Sequence, residues 1–529
     1  MQRKYTVVLV TLLALLFFST PVVNAEVIVS APENVILSLT GDTTEMAVTW
    51  RDVAEVAVGQ VRYGRTENFS SSAVAWRTLA SGYNSFEAVM TGLAPGETYY
   101  YTVGSAAAWS EIQSFVAPEG GTDSFSFLYL GDVQYNLSLD EYQDWGQLLA
   151  NAYEHCGDAA FAIMCGDMVN NGQSADQWQA FLAQASPVFS KIPMMAVPGN
   201  HESNDIKTGK PTLMNKLLSL PKNGLAGFEE EFYSFNYGDC HILCLNSNVY
   251  LNEQLQAGTM TPDDFDRIKT WIASDLSSSS AAWKIMVIHH PAYSVVSDKA
   301  GAAVLENWVP LFEAAEVDLV LYGHQHIYMR TKPIWEGQID YEKGITYLMS
   351  NSGSKHYPGV QTYYHAVLIE NIPTYQVVTI NGDTLWLGTF SIDGEELDSC
   401  NLSARVRTPQ GDDNGDGTIT QDECFIATAA FGSKFEPAVI ILRAFRDKFL
   451  LSNVPGRAFV DFYYQNSPPV ASYIANSEFL KAGIRALLTP VVGVVYLMFH
   501  PVLMFGMIGL PVFGIVIYRV RKRRLPSSC

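Results

Sequence analysis

Cysteine and positive charge are both scarce in this chain. Seven cysteines are spread over 529 residues: Cys156, Cys165, Cys240, Cys244, Cys400, Cys424 and Cys529. They show no dense spacing, which excludes a disulfide-stapled scaffold. Cys165 sits in an apolar run and reads as a buried core thiol. Cys240 and Cys244 flank His241 on a strand-like stretch, where positions i and i+4 share a face but lie too far apart to bridge. Only 33 Lys and Arg stand against 54 Asp and Glu, a formal net charge of −21. That balance argues against a nucleic-acid partner. It leaves room for a small phosphate-ester substrate, because bound cations would set the local field. The length is too great for one core, so several domains are expected.

The first 25 residues read as a signal peptide. Arg3 and Lys4 precede an apolar stretch from Val7 to Phe18, interrupted only by Thr11, and Val23-Asn24-Ala25 is a small-residue cleavage site. The expectation is an exported protein whose mature chain begins near Glu26.

Residues 27–118 carry short apolar or alternating stretches at Val35–Leu39, Glu45–Trp50, Gly59–Tyr63, Ser85–Met90 and Tyr99–Val103, separated by turn chemistry such as Thr40-Gly41-Asp42. This spacing predicts an all-β sandwich. The stretch from Gly92 to Tyr101 resembles the tyrosine-corner region of fibronectin type III domains. Residues 123–395 alternate buried-strand runs (Ser126–Leu130, Ala160–Met164, Met194–Val197, His241–Leu245, Lys284–Ile288, Leu319–Leu321) with helical stretches at Leu139–His155, Ala175–Phe189 and Ala303–Ala315. That pattern predicts an α/β domain with ligands at strand ends.

Beyond residue 400 the composition shifts. Within a linker over 401–423, a twelve-residue stretch offers Asp412, Asn414, Asp416, Thr418, Thr420 and Glu423 at calcium-loop spacing, with Gly417 at the turn position. It reads as a lone Ca2+ loop or as a plain acidic linker. Residues 424–480, opening with Cys424-Phe425-Ile426, resemble the bacterial C-terminal CFI-box module. Residues 486–518 are apolar, with His500 as the sole ionisable group, and Arg519, Arg521, Lys522, Arg523 and Arg524 follow in the tail over 519–529. One membrane span near Pro501–Tyr518 with a cytoplasmic tail is expected, a short hairpin or a processed sorting signal being the alternatives.

Five motifs end hydrophobic runs: Gly131-Asp132-Val133-Gln134, Gly166-Asp167-Met168-Val169-Asn170, Gly199-Asn200-His201-Glu202, His289-His290-Pro291 and Gly323-His324-Gln325-His326. Carboxylates, an amide oxygen and imidazoles suit borderline-hard divalent or trivalent transition-metal ions. A lone Asp after Gly is an ordinary turn residue. Five such sets after five strands point to one site.

In this order the motifs resemble the calcineurin-like metallophosphoesterase superfamily and, with the preceding β-domain, its purple acid phosphatase branch. The resemblance spans about residues 27–395. It implies a fibronectin type III-like sandwich followed by an αββα-type catalytic domain; with the small C-terminal module and transmembrane segment read above, the chain is expected to be multidomain. It puts Asp132, Asp167 and His326 on one ion, and Asp167, Asn200, His289 and His324 on the other, with Asp167 bridging. Two ions of Fe, Zn or Mn are implied. The activity implied is hydrolysis of phosphate monoesters or diesters by in-line attack of a metal-bridging hydroxide. His201 would contact the phosphoryl oxygen and help protonate the leaving group.

Three positions depart from the family pattern. Asn170 stands where the purple enzymes carry a tyrosine ligand, which removes the phenolate and its colour; Asn170 is expected instead to orient His201 through a hydrogen bond. Gln134 replaces a common histidine, and either gives an amide oxygen to the first ion or only walls the pocket. Ser297-Asp298-Lys299 replaces the plant enzymes' substrate histidines. His290 reads as non-ligating, while Lys355 and His356 are candidate substrate contacts. The competing function class is a non-catalytic surface binding or adhesion protein on the same scaffold.

Overall fold

The computed structural model describes residues 31–405, apart from 53–57, 81–82, 107, 135–138, 206 and 252, together with separate positions between 442 and 499. Contact density divides the chain at Pro409 and Gln410 into two units.

The first unit opens with seven antiparallel strands: β1 Glu33–Ser38, β2 Glu45–Asp52, β3 Gly59–Gly64, β4 Ser71–Ala80, β5 Tyr83–Thr91, β6 Thr98–Gly104 and β7 Gln113–Val116. Their order is β1-β2-β5-β4-β3-β6-β7. β4 closes the sandwich by pairing with β3 through Ser71–Ala75 and with β5 through Trp76–Ala80. Trp50 stacks on Phe86 at 5.4 Å between ring centroids and Tyr101 packs edge-on against Phe115, filling the interior. Tyr99 Oη accepts from the Ala94 N–H at 3.0 Å, the tyrosine-corner bond expected from the sequence.

The α/β part holds two facing sheets. One has β8 (Ser124–Leu130), β9 (Ala162–Met164), β10 (Met194–Ala196) and, later in the chain, β20 (Thr374–Asn381), β21 (Thr384–Ser391) and β22 (Glu396–Ser403), ordered β10-β9-β8-β20-β21-β22. The other joins β11 (Phe232–Tyr237), β12 (Cys240–Leu245), β13 (Trp283–Ile288), β14 (Leu319–Tyr322), β15 (Tyr328–Thr331), β18 (Thr346–Met349) and β19 (His365–Ile369), ordered β11-β12-β13-β14-β18-β15-β19. A small hairpin of β16 (Ile334–Trp335) and β17 (Gln338–Ile339) lies between β15 and β18 in sequence. β8–β10 are parallel to one another, as are β12, β13, β14 and β18.

Alternation along the strands divides the packing. Ile242, Cys244, Ile285, Val287, Leu319 and Leu321 belong to the core shared with the first sheet. Leu243, Leu245, Met286, Ile288, Val320 and Tyr322 face a second core with Ile268, Ile272 and Leu276 of the helix Pro262–Ser278. Both faces are covered, which is why these strands read as unbroken apolar runs. Helices Tyr142–Cys156 and Ala175–Phe189 lie in the core of the first sheet, burying Trp145, Leu149, Trp178 and Phe181. The stretch expected as one helix over 303–315 is two, Lys299–Asn307 and Val309–Ala314. The break falls at Trp308, ahead of Pro310, whose ring lacks the N–H that would continue the first helix.

The sandwich sits directly on this domain. Tyr101 Oη donates to the Ser190 carbonyl at 2.7 Å, Asn34 Nδ2 to Gln179 Oε1 at 2.9 Å, and Ser219 Oγ to Glu87 Oε1 at 2.7 Å.

In the second unit a helix runs over Glu478–Phe499, starting ahead of the apolar stretch expected at 486. Among the described residues no helix is long and apolar enough to cross a membrane, so the transmembrane expectation is not borne out there. Pro501–Tyr518, the calcium loop over 412–423 and most of the CFI-box-like stretch lie outside the described residues.

Candidate metal centre

Each of the five motifs leaves the carboxyl end of a parallel strand. Asp132, Asp167 and Asn200 follow β8, β9 and β10 of the first sheet; His289 and His324 follow β13 and β14 of the second. Asp132, Asp167, His324 and His326 have φ of +54°, +52°, +77° and +48°, left-handed backbone that non-glycine residues seldom adopt. The glycines beside them remove obstructions. A Cβ on Gly199 would stand 2.1 Å from Asp167 Oδ1, and one on Gly323 would stand 2.1 Å from Asp132 Oδ2.

Two clusters result. Asp132, Asp167 and His326 form one buried group of donor atoms, all within 4.8 Å of one another; His289, His290 and His324 form a second. Asn200 Oδ1 joins the second, 3.2 Å from His289 Nε2 and 3.0 Å from His324 Nδ1. Asp167 links the two, its Oδ2 lying 3.2 Å from His289 Nε2. The sequence-derived ligand sets therefore come together. Gln134 points into the same space. Its Nε2 lies 3.2 Å from Asp167 Oδ2 and 2.9 Å from His326 Nε2, while its buried Oε1 has no partner. Amide O and N are interchangeable by rotation, so the oxygen can be the inward atom.

This donor set fits metal ions. Two carboxylates are buried side by side, and His326 Nδ1 and Gln134 Oε1 are buried without partners. Burial, then Lys355, holds the His326 imidazole down to about 3, and burial, then His289, holds His324 down to about 4. Both rings are therefore neutral, as ligation requires. Burial also opposes charge on His289, but Asp167 and Asp132 override it and raise the ring to about 9. His289 Nδ1–H donates to the Cys165 carbonyl at 2.7 Å, which aims Nε2 at the centre.

His201 lies beside the bridging residue: its backbone N–H donates to Asp167 Oδ1 at 3.0 Å, and its Nε2 is 3.9 Å from Asp167 Oδ2. The partner that orients its ring is Asn170, through the backbone carbonyl at 2.6 Å from Nδ1 and not through the side-chain amide. The cleft above the donors has a volume of about 190 Å³ and is lined by Gln134, His201, Asp298, His324, Lys355 and Tyr357 among others. His356 does not line it; its Nδ1 faces Asn351 Nδ2 at 3.0 Å. His290 is held twice by Ser247, whose Oγ lies 2.8 Å from Nδ1 and accepts from the His290 N–H at 3.1 Å.

Glu202 is the residue that sequence reasoning passed over. It is fully buried, and its carboxylate accepts four backbone N–H groups: Asp167 at 2.7 Å and Gly199 at 2.8 Å on Oε2, Met168 at 3.0 Å and Val169 at 3.1 Å on Oε1. It ties the loop of Asp167 to that of Asn200. An acidic residue closing a loop otherwise made of ligands was the available signal.

Residues 32–117 match the purple acid phosphatase N-terminal domain, and residues 125–328 match the calcineurin-like phosphoesterase family. Acid phosphatase type 7 of Danio rerio is 28% identical over 345 residues, covering 58% of this chain and 73% of that protein. Purple acid phosphatase 18 of Arabidopsis thaliana is 24% identical over 335 residues, covering 59% and 69%. A purple acid phosphatase from yellow lupin (Lupinus luteus) seeds shares the fold, with a TM-score of 0.58 at 19% identity over 70% of this chain and 74% of that one. The chain thus carries a purple acid phosphatase N-terminal domain followed by a calcineurin-like phosphoesterase domain, the latter of a family of metal-dependent phosphoric ester hydrolases.

Proposed function

We propose that this chain hydrolyses phosphate monoesters or diesters at a two-metal centre held by Asp132, Asp167, Asn200, His289, His324 and His326, with Gln134 as a further oxygen ligand to the first ion. The observation that carries the reading is that Asp167 stands between two separate donor clusters. Two ions held there would supply Lewis acidity and activate water for attack. The side chains do the rest. The Asn170 backbone carbonyl accepts a hydrogen bond from His201 Nδ1–H and so turns Nε2 to the cleft. From there His201 contacts the phosphoryl group and delivers a proton to the leaving oxygen. Lys355, at the cleft wall, meets the phosphoryl oxygens.

The test is elemental analysis of the purified protein, paired with hydrolysis of mono- and bis-nitrophenyl phosphate. Two transition-metal ions per chain with turnover of either ester is the expected result, and the rate ratio assigns monoester or diester preference. Metal-free protein after reconstitution with zinc, manganese or iron would overturn the reading.

Export, tethering by residues 486–518 and calcium at 412–423 belong to the same proposal, supported by the sequence patterns alone. Fractionation checks the first two: the protein should stay with membranes after a high-salt wash, its catalytic part open to added protease.

A further inference from the structure

The two ligand histidines of Gly323-His324-Gln325-His326 enclose a residue that performs a different task. Gln325 is buried, and its Oε1 accepts from the N–H groups of Val295 at 2.8 Å and Val296 at 3.2 Å, while Nε2 donates to the Val296 carbonyl at 2.8 Å. One side chain thus pins the loop that carries Val296 to the rim of the cleft. A second loop is fastened beside it. Tyr357 N–H donates to the His326 carbonyl at 3.3 Å, and Val360 N–H to the Val295 carbonyl at 3.4 Å. The Tyr357 ring rests edge-on against His326, with centroids 4.9 Å apart, and Lys355 Nζ lies 5.1 Å from its centre.

The outcome is an apolar ledge at the mouth of a polar site. Val296, Tyr357 and Val360 remain 42%, 40% and 62% exposed. Single exposed apolar side chains need no explanation. Here three lie on two loops tied to each other and to the ligand loop, and Val296 and Tyr357 line the cleft itself. The remaining lining, which includes Asn200, His201 and Asp298, is mostly polar.

Building on the phosphoesterase reading, we propose that Val296, Tyr357 and Val360 form a leaving-group subsite that selects phosphate esters of aromatic or other flat apolar alcohols. The phosphoryl group takes the end lined by the metal ligands and Lys355. The organic part then extends over the Tyr357 ring, where the cleft is too small to enclose it and open enough to let it pass. Lys355 serves both ends, its ammonium steadying the ring it overlies while facing the phosphoryl oxygens.

The test is titration calorimetry of the metal-loaded full chain with inorganic phosphate and with phenylphosphonate, a non-hydrolysable aryl ligand. Covering about half of a phenyl ring should tighten phenylphosphonate by about tenfold over phosphate. Tyr357→Ala, at a half-exposed position, should abolish that preference by weakening phenylphosphonate about tenfold more than phosphate; Tyr357→Phe should keep it. Equal affinity of the wild type for both ligands overturns the subsite, as does a Tyr357→Ala variant that weakens both ligands alike. Failure of the metal-loaded protein to bind phosphate at all would instead overturn the parent reading, and the subsite with it.

Discussion

Replacing Glu202 by glutamine changes one atom and should disturb the whole centre. The carboxylate receives two N–H groups on each oxygen. An amide keeps one acceptor and turns an NH2 group toward the other two donors. Two charge-assisted bonds are lost and two buried N–H groups are left facing a donor, a loss of about 3–5 kcal/mol. Burial, followed by the nearby Asp167, pushes the Glu202 carboxyl up to about 7, while the backbone donors hold it down. The geometry sides with the charged form, because neither oxygen has an acceptor to which a proton could be given. Were the side chain neutral, Glu202→Gln would be a mild change. The assay is thermal unfolding in a chelator, which isolates the scaffold, together with metal counting after reconstitution. A fall of roughly 5 °C in Tm and fewer than two ions per chain are expected. An unchanged melting curve with two ions retained would refute the argument.

His201→Ala should keep both ions, since no other donor cluster depends on it, and lose about two to four orders of magnitude in kcat; loss of metal in elemental analysis would show that it ligates. Gly323→Ala puts a methyl group 2.1 Å from Asp132 Oδ2 and 2.9 Å from Cys165 Sγ. The displaced carboxylate should weaken the first ion by about tenfold or more in equilibrium dialysis, and unaltered affinity would contradict the packing argument. Burial, against the pull of Lys222, raises the Glu230 carboxyl to about 7. The folded chain therefore holds this proton more tightly than the unfolded one. The stability it contributes is full below about pH 4.5 and is lost as pH rises through about 7. Glu230→Gln should match the wild type in urea unfolding near pH 4.5 and exceed it at pH 8 by about 1–3 kcal/mol; an equal difference at both pH values would refute this.

The ligand-bearing strands were readable because they are buried on both faces and end abruptly in Gly-Asp, Gly-Asn or His. β4 was not, because Val74, Trp76 and Leu79 are exposed on it and give no inward-outward alternation. The residues proposed as ligands could be read from type and order. The supporting bonds could not: the Asn170 bond to His201 comes from a carbonyl that every residue possesses, and a buried Glu202 is indistinguishable in sequence from a solvated one. Gln325 escaped notice for the opposite reason, lying inside a motif whose histidines already had a role.

The centre draws donors from both sheets, and Gln134 meets His326 across 192 positions of sequence. An ion held there, as proposed, would act as a cross-link that cannot form until β14, late in the domain, has reached its place against β8. During synthesis the emerging chain has no complete pocket until nearly all of the domain has been made, so an incomplete or misassembled copy gains no ion. After reconstitution with saturating metal, the metal retained would therefore report conformational quality in a preparation, since a misassembled chain lacks the complete pocket.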